Sequence, residues 1–144
     1  MNFNRVMVWL LRSRLHRLVS RSMTVLRVKG LKSGREFDVP VNYIPVETEG
    51  GQRLLITSQR DRAWWRNLRE KVSVGLTYQG KLMNAFAQVN ENEDQVAQGF
   101  IRYFKASPER ARFFSIELTS DGEVSADDLV RLARERVIVW VEPT

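Results

Sequence analysis

The sequence predicts an α+β protein that is mainly β: a small barrel of six antiparallel strands with helices at its periphery. Three observations support this fold class. Six segments have the apolar pattern of strands, most of them follow one another through tight turns, and helical spacing is concentrated towards the ends of the chain. A doubly wound parallel sheet would need a helix between successive strands. The 144 residues are enough for one domain with a single core.

The first predicted element is a basic amphipathic helix over residues 4–20. Asn4 is an acceptable N-cap, and arginines fill many positions between the apolar residues. Two interpretations stay open: the helix packs its apolar stripe on the domain, or it rests on an anionic membrane surface. The apolar residues at roughly helical spacing are Val6, Trp9, Leu10, Leu15, Leu18 and Val19.

The barrel strands come next in the sequence. Residues 23–29 include alternating apolar and charged side chains, as expected of a strand with one face in water. Glycines at Gly50, Gly51 and Gly80 mark turns that join successive strands. The last strand is a continuous apolar run, which is typical of a buried strand. The predicted strands cover residues 23–29, 35–45, 53–58, 72–78, 81–89 and 137–141.

Helices are predicted between and after these strands. Residues 63–71 form a short helix, and residues 93–105 form one with an apolar face. Pro108 suits the first turn of another short helix, and Ser125 begins a helix that runs to about Arg134. We therefore treat residues 1–144 as one domain. Its parts are the N-terminal helix (1–20), the barrel strands with the candidate site (23–89), a helical part (92–136) and the closing strand (137–142).

The composition excludes several kinds of chemistry. The chain has no cysteine, so disulfides, thiolate nucleophiles and cysteine-ligated metal sites are ruled out. His16 is the only histidine, which argues against a Ser-His-Asp triad and a histidine-built metal site. Redox chemistry would therefore need a bound organic coenzyme. With no membrane-spanning stretch and no signal peptide, the expected compartment is the cytoplasm, and membrane association through residues 4–20 stays open.

Positive charge is concentrated at the start of the chain. The net charge is +6, and no Asp or Glu precedes Glu36. A basic segment of this kind commonly meets phosphate, an anionic membrane or nucleic acid, and a solubilising charge bias explains scattered arginines equally well. The chain has no recognised nucleic-acid-binding motif, so we do not expect a nucleic-acid partner.

The turn at residues 30–35, Gly-Leu-Lys-Ser-Gly-Arg, is the most informative stretch. Two glycines bracket a turn that can expose successive backbone amides, Lys32 and Arg35 add positive charge, and the Ser33 hydroxyl can donate a hydrogen bond. This set of donors suits a phosphate. An ordinary hairpin explains the same residues equally well, since Lys-Ser-Gly is a favourable sequence for a turn. The glycine spacing is not that of a P-loop, and a strand follows instead of a helix.

A second informative stretch covers residues 58–67. Arg60 and Arg62 lie in a polar loop, and two adjacent tryptophans follow on the predicted helix. Because neighbouring helical side chains point about 100° apart, Trp64 and Trp65 cannot share one face. We expect one to fill the core and the other to line a cleft. A flat aromatic wall beside cations suits an anionic planar coenzyme, although nucleic acid could use it too.

The order of these motifs resembles the deazaflavin-dependent nitroreductase and quinone reductase family. A strand, a Gly-x-Lys-Ser-Gly turn, a strand bearing Pro40, a further strand, a polar loop and Trp-x-x-Asn-Leu follow one another between about residues 23 and 89. The resemblance implies a split β-barrel of the type that also binds flavin mononucleotide (FMN). It also implies the deazaflavin coenzyme F420 as a hydride donor to quinones or nitroaromatics.

The resemblance also implies a set of coenzyme-binding residues. Those of the turn would hold the coenzyme phosphate, and those around Pro40 would lie beside its ring system. Residues of the loop after the third strand would contact the ring, and the first tryptophan would wall the pocket. The implied residues are Lys32, Ser33, Gly34, Val39, Pro40, Ser58, Gln59 and Trp64, and Arg35 and Arg60 join them as candidate coenzyme-binding residues because of their positive charge.

The chain also departs from the family pattern. Leu31 and Phe37 stand where the best-known members have basic residues, and the loop after the third strand is shorter and lacks their paired glycines. Arg35, Arg60 or Arg62 could supply the missing charge. The coenzyme is therefore predicted to be F420, with FMN as the alternative.

Hydride transfer itself needs no dedicated acid or base, so we assign no catalytic residue from the sequence. Tyr43, Tyr78 and Tyr103 are candidates for protonating the reduced acceptor. The predicted partners are the flavin-type coenzyme and a small-molecule electron acceptor. A non-enzymatic module that stores, carries or senses a flavin is the alternative.

Overall fold

The computed structural model describes residues 23–144, so the helix predicted over residues 4–20 and its membrane contact lie outside the described residues. Within residues 23–144 the chain forms six strands, two α-helices and two 3-10 helices. In chain order these are β1 (Met23–Lys29), β2 (Glu36–Thr48), β3 (Gly51–Gln59), η1 (Trp64–Leu68), β4 (Val72–Tyr78), β5 (Lys81–Asn90), α1 (Glu93–Ala106), η2 (Pro108–Phe114), α2 (Ala126–Glu135) and β6 (Arg136–Pro143).

The six strands form a closed antiparallel barrel in the order β1-β2-β3-β6-β5-β4. β6 lies between β3 and β5 and pairs with both. The ring closes where residues 25–27 of β1 pair with residues 75–77 of β4. The predicted fold class, a mainly β six-stranded antiparallel barrel with peripheral helices, is therefore confirmed.

Tight turns join the sequential hairpins, as the glycines indicate. β2 continues past the predicted end at Pro45 because its ladder with β3 runs to the pair Thr48 and Gly51. Gly51 has a φ of 104°, which an L side chain rarely adopts. The turn between β4 and β5 consists of Gln79 and Gly80, both with positive φ, which is the two-residue geometry that matches strand twist.

Side-chain alternation along the strands divides the apolar residues between two cores. The even-numbered residues Leu54 and Ile56 of β3 point into the barrel, whereas Leu55 packs outside it against the helices. Ile138 of β6 also lies on the outer face, where a Cβ on Gly99 of α1 would come within 2.8 Å of its side chain. A glycine at that position therefore lets α1 lie directly against the barrel wall.

The ladder between β2 and β3 stops partway along both strands. It runs from the pair Thr48 and Gly51 to the pair Tyr43 and Ile56. Beyond this point, residues 36–42 of β2 pair only with β1, and residues 57–59 of β3 pair only with β6. The barrel wall is therefore split between residues 39–42 and 57–59.

The segment after β3 is shorter than the predicted helix over residues 63–71. It is a 3-10 helix, Trp64–Leu68, whose N-cap Ala63 offers no side-chain hydrogen bond. The indole of Trp64 donates to Ser58 Oγ at 3.1 Å, and that of Trp65 donates to the Gln59 carbonyl at 3.2 Å. These two bonds hold the segment as a tight turn against the end of β3, and β4 begins soon afterwards.

Candidate functional site

A cavity of about 670 Å³ lies at the split between β2 and β3. We call it the split cavity. Residues 39–42 form one wall and residues 57–59 another, and η2 contributes residues from the far side. Five of the ten candidate coenzyme-binding residues line it: Val39, Pro40, Ser58, Gln59 and Trp64.

Ser58 positions the tryptophan of the split cavity. Its hydroxyl oxygen accepts the Trp64 indole hydrogen bond at 3.1 Å and donates to the Gln59 carbonyl at 3.2 Å. Trp64 is 9% exposed, so its ring is largely packed against the barrel core while its remaining edge faces the cavity. Because the Ser58 hydroxyl already donates to a backbone carbonyl and accepts from the indole, its role is to orient Trp64.

The split cavity also collects positive charge. Arg62, Arg110 and Arg136 line it, and Glu109 is the only carboxylate among its lining residues. Partial burial lowers the pKa of the Arg136 guanidinium from its ordinary value, which nearby Tyr103 and Glu135 partly offset. Arg110 and Arg136 are site residues that were not predicted from the sequence. The available signal was weak: Arg136 is a cation that directly precedes an apolar strand.

A second cavity, of about 690 Å³, lies at the turn between β1 and β2. We call it the turn cavity. Its lining includes residues 30–33 of the turn and residues of the segment 60–69. Lys32, Ser33 and Arg60 are the candidate coenzyme-binding residues that line it, whereas Gly34 and Arg35 line neither cavity.

The turn between β1 and β2 is closed by backbone hydrogen bonds. The Gly30 amide donates to the Arg35 carbonyl and the Gly34 amide donates to the Gly30 carbonyl, each at 2.9 Å. Gly34 has a φ of 70°, and Gly30 makes room for the Ser33 hydroxyl, which would lie 2.8 Å from a Cβ there. Glycine is therefore favoured at both ends of the turn, at Gly34 by the positive φ and at Gly30 by the space that the Ser33 hydroxyl occupies.

The turn leaves several donors available. Among residues 23–144, the backbone amides of Lys32 and Ser33 have no acceptor, and the Lys32 ammonium has no carboxylate partner. The Ser33 hydroxyl oxygen accepts from the Arg35 amide at 3.1 Å, which leaves its own proton free to donate. Two adjacent residues therefore offer two amides, a hydroxyl and a cation, which is the donor set of an anion nest.

Asn67 joins this turn to η1. Its side-chain oxygen accepts a hydrogen bond from the Leu31 amide at 2.9 Å, and its side-chain nitrogen donates to the Trp64 carbonyl at 3.0 Å. The Trp-x-x-Asn spacing thus has a structural reason, because the asparagine at the end of η1 reaches both the turn and the start of the same helix.

Trp65 provides an aromatic surface in the turn cavity. It is 3% exposed and belongs to the barrel core, and the guanidinium groups of Arg66 and Arg69 lie 5.7 and 5.6 Å from its ring centroid. Arg69 is also paired with Glu91 at 2.8 Å. Each tryptophan therefore packs on the core and lines a different cavity, instead of one serving the core and the other a cleft.

The hydrogen bonds of Arg60 are to backbone carbonyls and give it a structural role. Its guanidinium donates to the Glu91 carbonyl at 2.6 Å and to the Ala133 carbonyl at 2.8 Å. Its backbone amide donates to the Glu135 carbonyl at 3.0 Å. Arg60 therefore ties the loop after β3 to the ends of β5 and α2, although its side chain also borders the turn cavity.

The three candidate tyrosines lie in two places. Tyr43 and Tyr78 pack edge to face inside the barrel, with ring centroids 5.5 Å apart. Burial, with a smaller contribution from Tyr78, raises the pKa of Tyr43 to about 12. Tyr103 instead lines the split cavity, where its hydroxyl oxygen accepts a hydrogen bond from Arg110 at 3.5 Å.

Between residues 23 and 144, no helix is long and apolar enough to span a membrane. In the same range, no group of three or more histidine or acidic residues is placed to hold a metal ion.

The fold has similar solved structures, although no protein-family model and no curated protein sequence matches the chain. One is a domain-swapped dimer, with a TM-score of 0.50 and 17% identity over 96% of this chain and 92% of that one. Another is an F420-H2 dependent reductase (TM-score 0.45, 17% identity, 85% and 95% covered). A third is an FAD and heme binding protein from Mycobacterium smegmatis (TM-score 0.47, 12% identity, 92% and 72% covered). The first similarity supports the barrel fold described above, and at this identity it extends no further.

Proposed function

We propose that this chain is an oxidoreductase of the deazaflavin-dependent nitroreductase and quinone reductase family. It binds coenzyme F420, with FMN as the alternative coenzyme, and reduces a quinone or nitroaromatic acceptor. One observation carries the proposal: a single segment, residues 57–69, lines both a donor-rich cavity at the turn and an aromatic cavity at the barrel split.

The turn cavity fits a phosphate group. Lys32 supplies a positive charge, and the amides of Lys32 and Ser33 and the Ser33 hydroxyl supply hydrogen-bond donors without acceptors among residues 23–144. Hydrogen bonds to an ionised oxygen are stronger than those between neutral groups, so this donor set favours a phosphate over a neutral ligand. Asn67 holds the turn in place through the Leu31 amide.

The split cavity fits a planar ring system. Its volume of about 670 Å³ lies in the range of small-molecule sites, and aromatic and aliphatic side chains line it beside arginines. Pro40 lies in the unpaired part of the β2–β3 wall, and Trp64 is held by Ser58 on the opposite side of the split. The residues that the resemblance assigns to the ring therefore share one cavity.

The bound coenzyme would supply the hydride, and the chain would supply binding, orientation and a proton. Of the three candidate tyrosines, we propose Tyr103 as the proton source for the reduced acceptor. It lines the split cavity, and its hydroxyl oxygen accepts from Arg110, which leaves the hydroxyl proton available to a ligand. Tyr43 suits this role less well because its pKa is raised to about 12.

The proposal is tested with the full chain and each coenzyme. Absorbance titrations measure binding of F420 and of FMN separately, and steady-state assays follow oxidation of reduced F420 with menadione or nitrobenzene as acceptor. We expect saturable F420 binding and acceptor reduction that requires both protein and reduced F420. Binding of FMN alone would replace F420 as the coenzyme, and binding without turnover would favour the non-enzymatic module. Binding of neither coenzyme would contradict the proposal.

A further inference from the structure

The described lining of the split cavity carries a net positive charge, with three arginines and one carboxylate. Arg62 comes from the loop after β3, Arg110 from η2 and Arg136 from β6, and Glu109 is the only acidic residue in the lining. None of the three arginines forms an ion pair with any residue between 23 and 144. Three separate parts of the chain therefore bring unpaired guanidinium groups to one cavity, where a ligand with negative charge would be stabilised.

Arg136 is held in a fixed orientation. Its Nε donates to Thr57 Oγ1 at 3.0 Å, and that hydroxyl donates in turn to the Val137 carbonyl at 3.1 Å. Its guanidinium carbon lies 5.1 Å from the Phe114 ring centroid. The terminal nitrogens of Arg136 have no hydrogen-bond partner among residues 23–144, so the end of a planar donor fork remains open.

Arg110 adds a second cation close to a neutral hydroxyl. Its Nη1 donates to the Tyr103 hydroxyl oxygen at 3.5 Å, a long bond that leaves most of its donors free. Tyr103 is buried and belongs to the outer core with Phe114. Tyr103 interacts with both Arg110 and Arg136, so this part of the cavity combines two cations with a phenol, and within residues 23–144 neither cation forms an ion pair.

The remaining lining of the split cavity is largely apolar and aromatic. Trp64 packs on one side, and Phe113 and Phe114 of η2 lie on the other. Phe113 is 73% exposed, which is unusual for a large apolar side chain beside a cavity and gives a ligand ring a surface to cover. An aromatic ring with an anionic group in its plane matches both parts of this lining.

We propose that the split cavity binds planar aromatic carboxylates, with Arg110 and Arg136 on the carboxylate and the aromatic side chains on the ring. A carboxylate fits the planar guanidinium fork through two parallel hydrogen bonds. As acceptors of the reductase, such ligands would also carry a quinone or nitro group that is reduced while the carboxylate is unchanged, and this part of the inference rests on the proposed function. The binding preference itself does not require the coenzyme.

The test compares two probes that differ mainly in charge, 2-naphthoate and the neutral 2-naphthamide. Isothermal titration calorimetry measures the affinity of each probe for the full chain without coenzyme, and the indole N–H signals in an NMR spectrum report whether Trp64 is affected. We expect 2-naphthoate to bind at least about tenfold more tightly than 2-naphthamide, because a charge-assisted bidentate pair exceeds the neutral interaction by this much.

Variants that each remove one positive charge identify the residues responsible for the preference for 2-naphthoate. Arg136→Gln and, separately, Arg110→Gln should remove most of the naphthoate preference and leave the affinity for naphthamide nearly unchanged. Arg102→Gln is the matched control, because Arg102 is an exposed arginine of α1 that does not line the split cavity. Thermal unfolding of each variant verifies that it is folded, and two independent variants keep the test decisive if one of them is not.

Several results would overturn the inference. Equal affinities for the two probes, or no binding of either probe, would do so. So would an equal loss of 2-naphthoate affinity in Arg102→Gln and Arg136→Gln. Displacement of 2-naphthoate by inorganic phosphate at a matching concentration would do so as well. Failure here is distinguishable from failure of the proposed function, because coenzyme binding is titrated separately. A chain that binds F420 without a naphthoate preference keeps the function and loses this inference.

Discussion

The side-chain oxygen of Asn67 accepts a hydrogen bond from the backbone amide of Leu31 at 2.9 Å. This bond links the turn between β1 and β2 to η1, two parts of the chain that are far apart in sequence. Because the same side chain donates to the Trp64 carbonyl, Asn67 fixes the turn relative to the segment that lines both cavities.

Removing this link should loosen the turn. Asn67→Ala deletes both hydrogen bonds, and since a typical hydrogen bond contributes about 1 kcal/mol, we expect the free energy of unfolding to fall by about 1–2 kcal/mol. Urea denaturation measures it. Asn84→Ala, on an exposed position of β5, is the control and should change stability by less than about 0.5 kcal/mol. Equal effects of the two substitutions would show that Asn67 does not hold the turn.

Arg60 should prove to be a stabilising residue. Arg60→Ala leaves the carbonyls of Glu91 and Ala133 without their charged donor, so we expect a loss of about 2–3 kcal/mol in the free energy of unfolding. Arg35→Ala removes an exposed arginine and serves as the matched control, with an expected change below about 0.5 kcal/mol. Unchanged stability in Arg60→Ala together with weaker coenzyme binding would support a direct coenzyme contact instead.

Tyr43 should make stability fall at high pH. Its pKa is raised to about 12 in the folded chain, so between pH 10 and 12 the unfolded chain releases this proton while the folded chain retains it. The stabilisation is complete below pH 10 and is lost as the pH rises through the folded value, on the order of 2 kcal/mol in total. Urea unfolding at pH 9 to 11.5 should therefore show a shallower decline for Tyr43→Phe than for the unsubstituted chain. Parallel declines would contradict this assignment.

Tyr103 should affect turnover more than coenzyme binding. Tyr103→Phe keeps the ring that packs in the outer core and removes the hydroxyl that faces the split cavity. If that hydroxyl protonates the reduced acceptor, kcat should fall by about 10²-fold or more while the Kd of the coenzyme stays within about twofold. Tyr78→Phe, inside the barrel, is the control. A Tyr103→Phe variant with unchanged kcat would exclude this role.

The sequence predicted the barrel well because its signals are local. The tight turn at Gln79 and Gly80 and the apolar run after Arg136 fix strand ends within a few residues. The predicted helix over residues 63–71 was too long, since two indole hydrogen bonds to the end of β3 hold a 3-10 turn there. Such bonds join atoms that come together only in the folded chain, so the local sequence does not predict them.

The candidate site was predictable only in part. Lys32 and Pro40 lie in motifs that can be read locally, and both line a cavity. Arg110 and Arg136 are far along the chain and reach the split cavity only through η2 and β6. Arg60 was assigned to the coenzyme site from the sequence, and its hydrogen bonds to backbone carbonyls could not be predicted because distant parts of the chain contribute them.

The affinity of F420 for Lys32→Ala, measured by absorbance titration, tests the central claim most directly. Lys81→Ala is the matched control, since it removes another exposed lysine, at the start of β5. We predict that Lys32→Ala weakens F420 binding by about tenfold or more, because a hydrogen bond to a charged group contributes about 1.5–3 kcal/mol, and that Lys81→Ala leaves the affinity unchanged. Equal F420 affinities for Lys32→Ala and the unsubstituted chain would contradict the assignment of the turn as the phosphate site.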